Sequence, residues 1–378
     1  MLNLTITQYD IDKRLWYQQN VMVTDFSYNA RPRLRTAIFI CQRMITILGY
    51  IVVVIMTRNK VKLHDLPTRD IDRVLQRLRL SLIRASRASG GIPLLRVGRE
   101  VIRGLPLRDE NFKVLPFRSS RVPKVLAVDS SIKCILDLGG LKVYLVKIVA
   151  LYFDGSKTEI AFRGLRLIVA NNRGEALRQA LFMESDITRE LLNSWKTDAV
   201  LLDQCLMELP ERPRGLRLLV QAVSKSRTLL IGISKSSSIT LEDGSPLISY
   251  LMLRALMLGY RTWYYHPIFD RLHNLMLGEV TISKLSPKVW YTFRVDVYPP
   301  EGRALECALS MIQSLEDPAF PGYPYPLLRA HKEAKIRGYE VYLARSTLLA
   351  QPSLRRLVEG EATAFRRVEL ESRGRYMG

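Results

Sequence analysis

The sequence lacks the cysteine patterns that hold small or metal-stabilised domains together. Its four cysteines lie far apart, at Cys41, Cys134, Cys205 and Cys307, and no C-x-x-C pair occurs. This spacing excludes a zinc ribbon and gives no sign of a disulfide framework. We therefore expect a protein that works in a reducing cytoplasm.

Several other sequence features are also missing. No G-x-x-x-x-G-K-[ST] loop is present, so the chain is expected to bind no nucleotide cofactor, and any use of ATP must come from a partner. The absence of internal repeats and low-complexity tracts excludes repeat architectures. No signal peptide is expected, because the first apolar run begins far from Met1 and has no small-residue cleavage site.

One apolar segment, Ala37–Met56, is about as long as a membrane span. It carries Gln42 and Arg43 near its start, and both side chains are unfavourable in lipid. Three interpretations remain open: a buried or interfacial element, a true anchor, or translated sequence upstream of a start at Met56. The first and third are favoured, so association with a membrane is not expected.

Acidic residues are too few to balance the basic ones. The 378 residues include 57 Lys and Arg but only 36 Asp and Glu, for a net charge of +21. The stretch 58–124 alone holds 17 basic and 6 acidic residues. A balance this basic indicates a polyanionic partner such as nucleic acid, because binding phosphates releases counterions.

The basic stretch contains a predicted amphipathic helix over Asp70–Ala88, with apolar residues recurring on one face. Arg73 and Arg77 lie on another face. They either form a solvated surface or contact DNA. We divide the chain into an N-terminal extension (1–57), a basic helical and loop region (58–122) and a main domain (123–378).

The pattern of the main domain predicts a mixed α/β fold. Three strands come first, and a turn at Asp154-Gly155-Ser156 joins the second and third as a hairpin. A helix, a strand, a second helix and a further strand follow, which is the element order of an RNase H-like core. The predicted elements are strands at Val125–Val128, Lys142–Phe153, Thr158–Ile168, Ala199–Asp203 and Thr228–Ser234, and helices at Arg173–Trp195 and Leu216–Ser224.

Three acidic residues fall at telling places in this pattern. Asp129 follows the first predicted strand, and Asp203 ends the fourth. Glu184 interrupts the apolar stripe of the first helix, seven residues from both Leu177 and Leu191. Because the first and fourth strands of an RNase H-like sheet are neighbours and the helix packs over them, the three carboxylates are expected to converge.

Converging carboxylates repel one another, and divalent metal relieves that repulsion. An all-oxygen ligand set favours Mg²⁺ or Mn²⁺, and two such ions can promote hydrolysis of a phosphodiester. Taken singly, each carboxylate also has a structural interpretation. Asp129 could start a turn, Asp203 could cap the next segment, and Glu184 could pair with an arginine.

Four stretches of the main domain resemble the motifs of NurA nucleases of archaea and some bacteria. They are VLAVDSS at Val125–Ser131, the acidic strand Ala199–Asp203, LLIGISKSS at Leu229–Ser237, and GYPYPLLRAHK at Gly322–Lys332. Their order and spacing agree over residues 120–370, about two thirds of the chain. The last motif is the most specific of the four.

The resemblance implies a set of site residues. Asp129, Glu184 and Asp203 would bind two Mn²⁺ or Mg²⁺ ions, as the residue pattern also suggests. Tyr323 and His331 would complete the site, with His331 ligating metal or moving a proton. The family also places a lysine at Lys235, which would contact phosphate.

The resemblance also implies an activity and partners. NurA proteins are exonucleases, some also cut single strands internally, and they act in DNA end resection during double-strand break repair. They work with HerA, a hexameric ATP-driven translocase, commonly as homodimers, on single- and double-stranded DNA.

This chain departs from the family at two positions, where Ser130 and Gln204 replace glycines. Because glycine permits close backbone approach, both changes bear on the metal geometry. They leave open an alternative function, a catalytically weak DNA-binding adaptor of the same complex.

Overall fold

The computed structural model describes residues 72–77, 80, 91–116, 121–207, 215–270, 273–356, 358 and 359. The chain divides into two units, Met1–Arg87 and Ala88–Gly378. In the first, residues 72–77 are helical, in agreement with part of the predicted basic helix. The apolar segment Ala37–Met56 lies outside the described residues. Among the helices that are described, none is both long enough and apolar enough to cross a membrane.

The second unit begins with six strands, and α-helices and further strands follow. Its strands are β1 (Pro93–Val97), β2 (Glu100–Arg103), β3 (Phe112–Lys113), β4 (Val125–Leu138), β5 (Leu141–Phe153), β6 (Thr158–Ala170), β7 (Ala199–Leu202), β8 (Leu229–Ser234), β9 (Ile239–Leu241), β10 (Trp263–Tyr265), β11 (Glu279–Lys284), β12 (Phe293–Tyr298), β13 (Glu316–Asp317) and β14 (Phe320–Pro324). Its α-helices are α1 (Arg173–Leu191), α2 (Gly215–Ser226), α3 (Leu247–Met257), α4 (Gly302–Ser314), α5 (Tyr325–Ala334) and α6 (Gly338–Leu349).

The main sheet has nine strands in the order β3-β10-β11-β12-β8-β7-β4-β5-β6. At one end of this sheet β4, β5 and β6 are antiparallel, whereas β7 runs parallel to both β4 and β8. Three antiparallel strands extended by two parallel ones form the RNase H-like arrangement. The predicted fold class, a mixed sheet with flanking helices, is therefore confirmed.

Alternating side chains of the central strands enter two different cores. Val125 and Ala127 pack on the face covered by α4 and α5, with Leu305 and Leu327 among their neighbours. Leu126 and Val128 pack on the opposite face, under α1 and α2. Because successive residues of a strand point to opposite faces, this alternation decides where each residue beyond Val128 points.

The prediction that the first strand ends at Val128 is wrong. β4 continues to Leu138, and Asp129 pairs with Val149 inside it. Only the parallel ladder to β7 stops at Val128, opposite Leu202. Asp129 therefore lies beside the end of its neighbouring strand rather than at the end of its own.

The outer part of the β4–β5 hairpin has a small core of its own. Ile135, Leu136, Val143 and Leu145 pack there against residues of α6 and the segment after it. A nearly buried ion pair joins Lys147 Nζ to Glu340 Oε1 at 2.7 Å and ties α6 to β5.

Residues of the predicted basic region also enter the sheets. β1 pairs with β2 and β9 in a three-stranded sheet, and β3 forms an edge of the main sheet. The domain limits drawn from the sequence, after residues 57 and 122, remain predictions.

Candidate metal centre

The candidate site lies at the carboxyl-terminal edge of the parallel strands. Asp129 and Asp203 are the residues that follow the last paired positions of the β4–β7 ladder. Both continue the odd-numbered series of their strands, whose earlier members face α4 and α5. The two carboxylates therefore reach the edge of the sheet on the α5 face.

His331 joins these two aspartates from α5. Its Nδ1 lies 2.8 Å from Asp129 Oδ2 and 3.4 Å from Asp203 Oδ2. One ligand atom from each of the three residues lies within 4.8 Å of the other two. The hydrogen bond to Asp129 raises the pKa of His331 above its usual value.

Glu184 approaches the same edge from the other face of the sheet, on α1. Its Oε2 accepts a 2.7 Å hydrogen bond from Ser130 Oγ, and its Oε1 accepts one of 3.0 Å from Gln204 Nε2. Ser130 and Gln204 directly follow Asp129 and Asp203. Each therefore connects a carboxylate of the α5 face to the glutamate of the α1 face.

Glu184 is a buried acid among other acids. Its side chain is 3% exposed. Burial, followed by the negative charge of Asp129, raises its pKa to about 8, although the Ser130 hydrogen bond acts in the opposite direction. The predicted apolar stripe of this helix was partly wrong, because Leu177 is 43% exposed, but the placement of Glu184 on the buried face is as expected.

Lys235 and Tyr323 flank the aspartates. Lys235 Nζ lies 2.9 Å from Asp203 Oδ2 and 4.7 Å from the centre of the Tyr323 ring. The Tyr323 hydroxyl is buried and has no hydrogen-bond partner among the described residues. Burial and the nearby charges of Asp203 and Asp129 raise its pKa.

Residues that were not predicted from the sequence hold the loop after β7 in place. Asp296 is fully buried, ion-paired with Arg294 at 2.7 Å, and accepts a 2.9 Å hydrogen bond from the backbone of Leu206. Gly232 leaves room for the backbone oxygen of Gln204, which a β-carbon there would strike. Two opposite charges on alternate positions of an apolar strand, Arg294 and Asp296, were the available signal, but the contact of Asp296 with Leu206, 90 residues away, was not visible in the sequence.

The structure thus brings five predicted site residues and one predicted DNA contact to one place. These are Asp129, Glu184, Asp203, Tyr323, His331 and Lys235. The other two predicted contacts, Arg73 and Arg77, belong to the first unit and are exposed.

The residues present fit a divalent cation. Two carboxylates and an imidazole converge within 4.8 Å, a third carboxyl group lies behind them, and the Tyr323 hydroxyl has no hydrogen-bond partner in the part of the chain that the structure describes. A cation would offset the mutual repulsion of these acids. Carboxylate oxygens with a single imidazole suit Mg²⁺ or Mn²⁺ better than a soft metal.

Comparison with solved structures places the fold. A crystal structure of NurA matches with a TM-score of 0.54 and 12% identity, over 76% of this chain and 98% of that one. The NurA nuclease from Sulfolobus solfataricus matches with a TM-score of 0.47 and 15% identity, over 65% and 90%. NurA bound to dAMP and manganese gives 0.48 and 13%, over 76% and 97%. No protein-family model and no curated protein sequence matches the chain.

The first of these matches establishes the architecture. The sheet order defines an RNase H-like α/β protein with an acidic cluster at the edge of the sheet. Within that class the chain has a NurA-like fold, as the sequence motifs led us to expect.

Proposed function

We propose that this protein is a metal-dependent deoxyribonuclease that hydrolyses phosphodiester bonds in DNA. The observation that carries the proposal is the convergence of Asp129, Asp203 and His331 within 4.8 Å, beside the buried Glu184. The crystal structures that share the fold include a NurA bound to dAMP and manganese, a nucleotide and a metal that agree with this proposal.

Asp129, Asp203 and His331 would hold the metal, with Glu184 as a further carboxylate for a second ion. Two Mn²⁺ or Mg²⁺ ions would supply Lewis-acid activation of a phosphodiester and stabilise the charge on the departing oxygen. Lys235, 49% exposed at its side chain, would contact the phosphate. Tyr323 would hold a phosphate or the attacking water with its hydroxyl, which has no hydrogen-bond partner among the described residues.

Ser130 and Gln204 bear on the alternative of a weak adaptor. Both positions hold polar side chains where the resembling family has glycine, and both donate to Glu184. These two hydrogen bonds therefore hold the carboxyl group of Glu184 in position at the candidate site. We accordingly favour an active nuclease over an adaptor.

The substrate side of the proposal rests on charge. The net charge of +21 suits a polyanion. We propose that single- and double-stranded DNA are both bound, with Arg73 and Arg77 as contacts outside the catalytic unit.

The assembly follows from the motif resemblance. We propose a cytoplasmic homodimer that works with a HerA-type hexameric ATPase in DNA end resection and double-strand break repair, as an exonuclease with some single-strand endonuclease activity. The edge strand β6 supports a self-association surface, because Leu165, Leu167 and Val169 expose an apolar row on one of its faces. Sedimentation of wild type and Leu167→Glu tests this, and a dimer lost in the variant is expected.

The activity is tested on end-labelled single- and double-stranded DNA with Mn²⁺, Mg²⁺ or EDTA. We expect degradation with either metal and none with EDTA. DNA binding without degradation under every metal condition would instead support the adaptor.

A further inference from the structure

An aromatic surface lies beside the candidate metal centre at the same edge of the sheet. Across that edge β7, β8 and β12 are successive neighbours. Asp203 follows β7, Lys235 follows β8, and Trp290 and Tyr291 precede the antiparallel β12. All four residues therefore reach this edge within a few strand spacings of about 4.8 Å each.

A ladder of aromatic rings connects this surface to the site. The Tyr291 ring lies 5.6 Å from that of Phe293, and the Phe293 ring lies 5.6 Å from that of Tyr323. Lys235, which is paired with Asp203, stands over the Tyr323 ring. Tyr291 is thus two ring contacts away from Tyr323, whose ring contacts the lysine that is paired with Asp203.

Part of the ladder is buried, whereas its outer end is not. Phe293 and Tyr323 are each 3% exposed, but Trp290 and Tyr291 are 50% and 47% exposed. Phe293 and Tyr323 are buried and therefore belong to the hydrophobic core. Packing in a core does not explain Trp290 and Tyr291, two adjacent large aromatic side chains that are exposed to solvent just before a strand.

A third exposed ring lies on β14, the strand that carries Tyr323. Phe320, 45% exposed, precedes Tyr323 on β14 and has Lys332 Nζ 5.0 Å from its ring centre. Lys332 is the neighbour of His331 on α5. The backbone of β14 packs against the turn that leads to Trp290, because a β-carbon at Gly322 would lie 3.4 Å from Val289.

Exposed basic residues lie near these rings: Lys288 two positions before Trp290, Lys332 over the Phe320 ring, and Arg329 on α5. The acidic Asp317, which accepts a hydrogen bond from the backbone of Phe320, is buried. Exposed rings interspersed with lysines suit single-stranded nucleic acid, because unpaired bases stack on the rings while the cations follow the phosphates. A duplex conceals its base faces and gains only from the cations.

We propose that Trp290, Tyr291 and Phe320 form a stacking platform that binds the unpaired bases of a nucleic acid strand beside the metal centre. The proposal deepens the proposed nuclease function, since it makes single-stranded ends the preferred substrate. Base stacking on these rings would hold the strand so that the phosphate next to the stacked bases lies near Lys235 and the aspartates.

The test separates binding from cutting. Full-length protein is titrated in EDTA against a fluorescein-labelled oligothymidylate and against a blunt duplex of equal length, by fluorescence anisotropy. The variants are Trp290→Ala and Tyr291→Ala, with Trp290→Phe as the conservative replacement. Tyr342→Ala is the matched control, because Tyr342 is an aromatic residue 75% exposed on α6.

We expect each alanine variant at the platform to lose roughly five- to a hundredfold in affinity for the single strand. Duplex affinity should stay within about twofold, Trp290→Phe should restore most of the loss, and Tyr342→Ala should behave as wild type. Equal affinity of Trp290→Ala and wild type for the single strand would overturn the proposal. So would a change in sedimentation of Trp290→Ala without DNA, since the surface would then contact protein.

The outcome is distinct from that of the nuclease assay. A wild-type protein that binds the single strand through Trp290 but never cuts would refute the nuclease and leave the platform intact. A protein that cuts normally with Trp290→Ala and Tyr291→Ala would refute the platform and leave the nuclease intact.

Discussion

At the scale of single residues, strand alternation divides the candidate site between two faces. Asp129 and Asp203 continue the odd series of β4 and β7 and meet His331 on the α5 face. Ser130 and Gln204, one residue further on, turn to the other face and hold Glu184. Two pairs of consecutive residues, Asp129–Ser130 and Asp203–Gln204, thus connect both halves of the site at one edge of the sheet.

Glu184 should make the stability of the metal-free protein depend on pH. Its pKa is raised from 4.5 to about 8 by burial and neighbouring acids, so between these values the folded chain holds a proton that the unfolded chain releases. The free energy of unfolding should therefore fall as pH rises across this window, by up to roughly 1.4 kcal/mol per pH unit.

Urea unfolding in EDTA at several pH values checks this dependence. Glu184→Gln removes the titrating group but keeps its size, so its unfolding free energy should vary less between pH 5 and about 8. Parallel pH profiles for wild type and variant would show that Glu184 does not hold the proton.

At the scale of elements, the loop after β7 depends on the close approach of β8. Gly232 lies against the backbone oxygen of Gln204, and Asp296 of β12 holds the backbone of Leu206. The loop is therefore confined on two sides, and Asp203 and Gln204 have little freedom to move.

Gly232→Ala should displace this loop and slow cutting by about a hundredfold, because catalysis is sensitive to shifts of about 1 Å. Gly302→Ala, at the start of α4, is the control. There a β-carbon meets no described atom within 4 Å, so activity should be unchanged. The nuclease rates of both variants check this prediction, and their thermal stabilities should be equal. A fully active Gly232→Ala would show that the loop tolerates displacement.

The strands predicted well are those that are buried on both faces of the sheet, between the two cores. Lys142–Phe153 and Leu229–Ser234 are almost continuously apolar because both of their faces are covered, and both were found. The outer half of β4 was missed, because Ser130, Ser131 and Lys133 serve the site and the surface rather than a core. α6 was also missed, since Glu340 is its one buried residue and the exposed Tyr342 and Leu343 interrupt the residues that pack against the hairpin.

Within the site, the carboxylates were predictable but the hydrogen bonds between them were not. Asp129, Asp203 and Glu184 stood out because acids are unfavourable in apolar patterns. Ser130 and Gln204 appeared only as departures from glycine. Their role depends on contacts with Glu184 of α1. Ser130 is 54 residues from Glu184 along the chain and Gln204 is 20 residues from it, so no local pattern encodes these contacts.

At the scale of the whole molecule, the excess of positive charge predicts how DNA binding responds to salt. Each phosphate contact releases a counterion, so a protein that makes about six contacts should lose roughly a thousandfold in affinity between about 50 and 200 mM salt. Anisotropy titrations of duplex DNA in EDTA measure this. An affinity that hardly changes over this range would mean that the charge of +21 does not face the nucleic acid.

The central claim, a metal-dependent nuclease centred on Asp129, is tested most directly by comparing two substitutions on β4. Asp129→Asn removes a carboxylate of the candidate centre, whereas Asp137→Asn changes an exposed aspartate paired with Lys142 near the end of the same strand. With Mn²⁺ and end-labelled DNA, the account predicts that Asp129→Asn abolishes cutting while it retains DNA binding, and that Asp137→Asn cuts as wild type. Cutting by Asp129→Asn at the wild-type rate would contradict the account.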